Sequence, residues 1–363
     1  MLQYLDAIIA FTVIILALSL LITILIQMIS AILGYRGVNL RWGLKKLLET
    51  VEPKLAEKAD SLAQEILEAP LISDSLWSKF TYVPLIGKMT KRWRLASAIT
   101  KEELVIGLKN MAEIKEKNQT KKDDKRIAVQ TSIGKIEAGF DVVMKRASQR
   151  FTMQTRIWTI ILAVLISFGA RVDSFSLFQQ IWSNQVMRTN LIGQSEMLLN
   201  EASVILAVKT NVAQSSTYNY TPQILKDAME QLKKEDAKST AGLPATPTLM
   251  NMADMLKWLQ VNLKTDEATR DNILNKYQLL VIDELKKHAD TIQKGLAKSG
   301  FALQIPTSCK DFKSYYAGYS IWGIMITAAF LSLGSPFWFN TLKMLSSLRP
   351  LATASTKAPS KSA

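Results

Sequence analysis

Between Asp6 and Arg36 the chain runs for 29 residues without a charged side chain, and between Lys313 and Lys343 it does so for another 29. Each run exceeds the roughly 20 residues that cross bilayer hydrocarbon as an α-helix. The overall hydrophobic fraction of 48% would suit a soluble protein, but the apolar residues are clumped. A third stretch, Ile157 to Trp182 (IWTIILAVLISFGARVDSFSLFQQIW), is apolar enough to enter a membrane and is interrupted by Arg171 and Asp173. From Ile157 to Ala170 there are only 14 uncharged residues. That is about 21 Å of helix, too short for the bilayer, so the stretch is expected to continue past both charges as one crossing helix.

These runs predict an all-α integral membrane protein with three transmembrane helices. Residues 1–34 form the first, 157–182 the second and 314–342 the third. Between them lie a basic helical cytoplasmic region, 35–156, and a helical extracytoplasmic domain, 183–313, followed by an interfacial helix end and a disordered basic tail, 343–363. The formal net charge of +14 is unevenly spread: residues 35–156 carry 24 Lys and Arg against 15 Asp and Glu, while residues 183–317 carry 16 against 14. Basic loops are retained in the cytoplasm during insertion, so the asymmetry places the N-terminus outside and the C-terminus inside a plasma (inner) membrane. The negative leader and long apolar run predict a retained anchor rather than a cleaved signal peptide.

After the first span, Leu40, Leu44, Leu47 and Leu48 recur at helical spacing and leave lysines on the other face. Such a helix lies along the anionic inner leaflet or packs on the protein's own core, two readings of equal weight here. Thr100 and Glu103 read as a capping box. Ile136, Phe140, Val143, Ala147 and Phe151 share one face of a long helix that runs without a breaker toward the second span. Further on, Leu274, Tyr277, Val281, Leu285, His288 and Ile292 form a stripe on a helix that ends at Gly300, a natural C′ residue. Tyr315, Tyr316, Tyr319 and Trp322 form one aromatic belt of the third span, and Phe337, Trp338 and Phe339 form the other. Where that span leaves the hydrocarbon stands Gly334-Ser335-Pro336. Ser335 can cap and Pro336 can begin an interfacial helix, the alternative being a kink in one longer helix.

The run Leu333-Gly334-Ser335-Pro336-Phe337-Trp338-Phe339-Asn340, with Leu342, Leu345, Leu348 and Arg349, resembles the ending of a widespread set of bacterial multi-span membrane proteins of unassigned function, with a Gly-Ala/Ser-Pro-Phe-Trp-Phe-Asp-like signature. Asn39-Leu40 with Gly43, Phe140-Asp141 with Met144 and Arg146, and Val172-Asp173 also look like that set. Ser335 and Asn340 depart from its commoner Ala and Asp. The resemblance implies a bacterial inner-membrane protein and transfers no catalytic residue.

No catalytic constellation is legible. A histidine-assisted nucleophile has His288 alone to draw on, and that residue reads as a packing histidine in an apolar stripe. One histidine and one cysteine, Cys309, cannot make a transition-metal site or an intramolecular disulfide. The glycines at 134 and 139 have phosphate-loop spacing but lack the Lys and Ser/Thr that must follow. No catalytic, cofactor or metal site is therefore expected. Arg36, Arg41, Lys45, Lys46, Arg92, Arg94, Lys343 and Arg349 are expected to meet anionic lipid headgroups, which suit the stretch KMTKRWR better than nucleic acid does. Arg171 and Asp173 remain as an intramembrane charged pair, with three readings: a place near the outer headgroups, a contact with another span or subunit, or the lining of a path for ions or water.

The expected function is that of a non-enzymatic structural or signalling membrane protein. It would couple its outer and inner helical regions, with the bilayer, further copies of itself or other membrane proteins as partners. The alternative is an oligomeric channel or pore-forming effector with Arg171 and Asp173 near the pathway.

Overall fold

The computed structural model describes residues 2–33, 35–51, 58–68, 101, 104, 105, 108, 123–210, 230, 231, 234, 267–301 and 320–357. Among them the chain is all-helical, with α1 (Leu2–Leu33), α2 (Tyr35–Val51), α3 (Ala59–Glu68), α4 (Asp123–Gly169), α5 (Ser174–Ser183), α6 (Gln185–Gly193), α7 (Ser195–Thr210), α8 (Glu267–Lys298), α9 (Ile321–Ser332) and α10 (Ser335–Lys357). Two helices are long and apolar enough to cross a membrane, Leu2–Ser30 and Ala138–Gly169, and α9 with the first part of α10 makes a third candidate bent by 91°. Arg92, Arg94, Thr100, Glu103, Cys309 and the tyrosines at 315, 316 and 319 lie outside the described residues.

The chain forms two compact units. In the unit holding residues 28–153, the apolar stripe of α2 packs on the protein itself: Leu44, Leu47 and Leu48 are enclosed with Ala63 and Ile66 of α3 and with Ile136 and Phe140 of α4. The predicted face of α4 is the one that packs, since Ile136, Phe140 and Ala147 are buried and Lys145 and Arg146 are exposed. Arg150 departs from that pattern and stacks over the Trp42 ring at 4.5 Å. Gly43 lets α2 and α4 approach closely, because a Cβ there would stand 2.9 Å from the Ala147 Cβ. The leucines of α2 thus take the core alternative rather than the membrane surface.

The other unit, residues 1–27, 154–207 and 284–363, is built on α1. Of the most apolar window of α1, 78% is buried inside the protein, against 11% for that of α4. Hydroxyls inside α1 are satisfied locally: Thr12 donates to Ile8 O, Ser19 to Ile15 O and Thr23 to Ser19 O. One hydrogen bond joins the Thr23 and Ser335 hydroxyls at 2.8 Å. Arg349 Nε donates to Asp6 Oδ1 at 2.9 Å. These two links join opposite ends of α1 and α10, about 26 Å apart along one helix and 21 Å along the other. The two helices therefore run antiparallel side by side.

Two expectations are corrected in this unit. Ile157 to Trp182 is not one helix: α4 ends at Gly169 and α5 begins at Ser174. The third span is not one straight helix, since α9 has only 12 residues, about 18 Å, before the bend. Trp338 and Leu342, on the shared apolar side of α10, are buried. The Asp6–Arg349 bond sets Arg349 beside the N-terminal end of α1. The bend at Gly334, with φ +81°, turns the chain through 91°.

Candidate functional site

The residues singled out as an intramembrane charged pair lie in the turn between α4 and α5. There Arg171 N–H donates to Phe168 O at 3.3 Å and Val172 N–H to Ser167 O at 3.1 Å. This is the hydrogen-bond pattern of a Schellman stop, with Arg171 at the C′ position where glycine is usual. Its φ of +50° places it in the left-handed region. The same stop closes α8, with the anticipated Gly300 at φ +88° and Phe301 N–H donating to Leu296 O.

Asp173, 6% exposed, serves two helix starts at once. Its Oδ1 accepts from Phe175 N–H at 2.9 Å and Ser176 N–H at 3.4 Å, capping α5. Its Oδ2 accepts from Ser320 N–H at 3.3 Å, at the cap of α9. Gly323 leaves the room for this, because a Cβ there would fall 1.7 Å from Oδ1. One step further, the Ser174 and Thr327 hydroxyls meet at 2.7 Å, both buried. A carboxylate beside two helix N-termini answers two sets of orphan N–H groups and two positive dipole ends. Of the three readings of this pair, near the headgroups, in contact with another span or subunit, or lining a path, the structure speaks only to contacts within the protein: Asp173 accepts from Ser320 N–H at the cap of α9, and Arg171 forms the turn before it.

The second joint is the sequence-predicted Gly334-Ser335-Pro336-Phe337-Trp338-Phe339. Gly334 turns the chain, Ser335 is buried against Thr23, and Pro336 and Phe337 are exposed. Trp338 reaches back so that its Nε1–H donates to Phe330 O at 2.7 Å, satisfying a carbonyl at the end of α9. Phe330 packs edge-on against Trp338 and against Phe11 of α1, at 5.6 and 5.8 Å. Phe339 is half-buried. The sequence flagged this break correctly. It gave no sign of the joint's partner, Thr23, 312 residues away.

Among the described residues, four of the eight basic residues expected at headgroups make ion pairs within the protein. Arg41 pairs with Asp60 at 2.6 Å, Lys46 with Glu49 at 2.7 Å, and Lys45 lies 3.8 Å from Glu49 and 4.0 Å from Asp60. Arg349 pairs with Asp6. Lys343 is exposed on α10, and the side chain of Arg36 lies outside the described set. A buried cation that the sequence did not single out is Arg188, whose Nη1 donates to Ile181 O and Trp182 O and so closes the C-terminus of α5. His288, the lone histidine, hydrogen-bonds through Nδ1 to Glu201 Oε2 at 2.5 Å and joins α8 to α7.

Around α1 the surroundings are lopsided. Tyr4 lies tilted against Trp182 at 4.8 Å, and Phe11 meets Phe178 and Phe330. On the other side Val13 and Ala17 line a small cavity with Leu191, Leu198, Ile292 and Leu296 of α6, α7 and α8. Tyr4 and Phe11 stand about 160–180° from Val13 around the helix. The first flank turns Phe175, Phe178, Ile321, Trp322 and Met325 outward. The second turns out Glu196, Asn200, Lys286, Lys287, Asp290 and Lys294. Hydrocarbon suits the first flank, whereas each charge turned to mid-bilayer lipid costs about 2.5–3.5 kcal/mol on insertion scales.

Among the described residues no group of three or more His, Cys, Asp or Glu is arranged to hold a metal. Comparison of the chain with protein-family models, with curated proteins and with solved structures found no match.

Proposed function

We propose that this chain is a non-enzymatic integral membrane protein of the bacterial inner membrane, a structural or signalling component that works as an oligomer or beside other membrane proteins. The observation that carries this reading is the outward apolar face of α4: Ile157, Ile160, Ile161, Val164 and Leu165 are all 41–60% exposed. Such a face in water would be strongly unfavourable, and lipid or another apolar helix removes the cost. α4 is a single helix of 47 residues, about 70 Å. It is suited to carry a shift from its charged start to its apolar end, which is the coupling role proposed.

The basic surplus of residues 35–156 puts the C-terminal end of α1 in the cytoplasm. With that orientation, the Asp6–Arg349 pair supports an outer location of Arg349 beside the N-terminus. Because Arg171 forms a turn and Asp173 caps two helices, a structural role for them is favoured over the lining of a pathway. The test is retention in membranes through an alkaline carbonate wash, combined with impermeant labelling of Tyr4→Cys and Leu348→Cys in a Cys309→Ser background. Retention with both positions reached from the same side is expected. Release by carbonate would overturn the membrane reading, and labelling from opposite sides would overturn the proposed topology alone.

A further inference from the structure

The charged flank of α1 has a consequence that deepens the proposed function and rests on its reading of α1 as a membrane crossing. α7 follows α1 downward: Leu191 and Leu198, on either side of its start, lie by Val13 and Ala17, and Gln27 Nε2 donates to Ile205 O at 3.5 Å. α8 comes back the other way, with His288 against Glu201 and Ile292 and Leu296 beside Val13 and Ala17. The two helices are therefore antiparallel: α7 follows α1 from about Val13 to Gln27, about 21 Å of its length, and α8 lies beside it at Val13 and Ala17. The inner faces of the pair are apolar, as Leu198, Ala202, Ile205, Leu285 and Ile292 are buried. The outer faces carry Glu196, Asn200, Lys286, Lys287, Asp290 and Lys294.

A helix pair pressed against the middle of a crossing cannot show such a face to hydrocarbon, and only water or counter-charge can solvate it. We propose that α7 and α8 form the wall of a water-filled cleft that reaches the mid-depth of the bilayer beside α1 and admits small hydrated ions. The wall carries both signs of charge, so it holds water and ions without selecting strongly for either sign. Its polar lining is distinct from Arg171 and Asp173, which are taken up by the joint between α5 and α9.

The test uses the full chain in opened membrane vesicles, in a Cys309→Ser background. Lys287→Cys, Lys294→Cys and Asn200→Cys are exposed to a charged, membrane-impermeant thiol reagent, with Ile161→Cys and Leu165→Cys as positions facing lipid. In the same vesicles, oxidation of the pair Val13→Cys and Leu296→Cys reports whether α8 stays beside the middle of α1. The cleft is supported by modification of the α7 and α8 positions, sparing of Ile161→Cys and Leu165→Cys, and formation of the Val13–Leu296 cross-link. Loss of modification at Lys287→Cys and Lys294→Cys would show the flank covered by protein or lipid and would overturn the proposal. Modification without the cross-link would put α8 outside the bilayer and overturn it equally. Full modification of Ile161→Cys and Leu165→Cys would instead remove the membrane reading itself, and the cleft with it.

Discussion

Asp173 and Gly323 fit each other as a carboxylate fits a missing side chain: the position a Cβ would take on Gly323 is 1.7 Å from Asp173 Oδ1. That vacancy lets one carboxylate cap α5 while accepting from Ser320 N–H at the start of α9. Gly323→Ala is therefore expected to push Asp173 out and cost about 1–3 kcal/mol, as overpacking of a tight site does. Asp173→Ala removes the cap, worth about 0.5–2 kcal/mol. Because both variants break the same contact, the double variant should lose clearly less than the sum. Unfolding of purified protein in detergent, with all four forms compared, measures this; simple additivity would mean that the two residues do not act together.

Arg171 is expected to matter through its backbone. A left-handed conformation costs an L-residue about 1–2 kcal/mol, a cost that glycine escapes. Arg171→Gly should keep the turn, and Arg171→Val, β-branched at φ +50°, should lower the melting temperature well below that of the glycine variant. Equal melting temperatures for the two would show that the positive φ does not govern the site.

The antiparallel pairing of α1 and α10 predicts that a short bifunctional thiol cross-linker joins Asp6→Cys to Arg349→Cys in membranes, and that Thr23→Cys couples with Ser335→Cys. The ion pair itself should contribute little, under about 1 kcal/mol, because the Arg349 side chain is 41% exposed and its charge is screened. Ser335→Ala should cost more than Arg349→Ala, since it leaves the buried Thr23 hydroxyl with fewer partners. A thermal-shift comparison of the two alanine variants reads the order directly.

In the unit of α2 to α4, Gly43 admits Ala147 at a distance a methyl group would not allow. Gly43→Leu is expected to pry α2 from α4 and expose the cluster around Leu44, Leu47 and Phe140. Limited proteolysis should then cut in α2 sooner than in the parent protein, with Gly134→Ala as a neutral control because a Cβ on Gly134 meets nothing within 4 Å. Equal resistance of parent and Gly43→Leu would count against close packing at this crossing.

Local chemistry was legible where periodicity or a glycine marks it. The buried stripe of α4 through Ile136, Phe140 and Ala147, the glycine stop at Gly300 and the break at Gly334 all follow from periodicity and from the left-handed preference of glycine. What the sequence misjudged at Ile157–Trp182 has an equally definite reason. An apolar run with an arginine at its stop position carries no written end, so length alone argued for a continuous helix.

The sequence by itself determined the helical fold class, the apolar stretches, and the turns written in glycine at Gly300 and Gly334. Tertiary structure decided which turns became joints, because Asp173 needed Ser320 and Gly323, and Ser335 needed Thr23, each contributed by a distant helix. It also decided that α10 returns along α1 and that a charged pair of helices covers the opposite flank from the aromatic one. Such outcomes depend on side chains 147 and 312 residues apart meeting in space, and helical periodicity carries no information about which faces will meet.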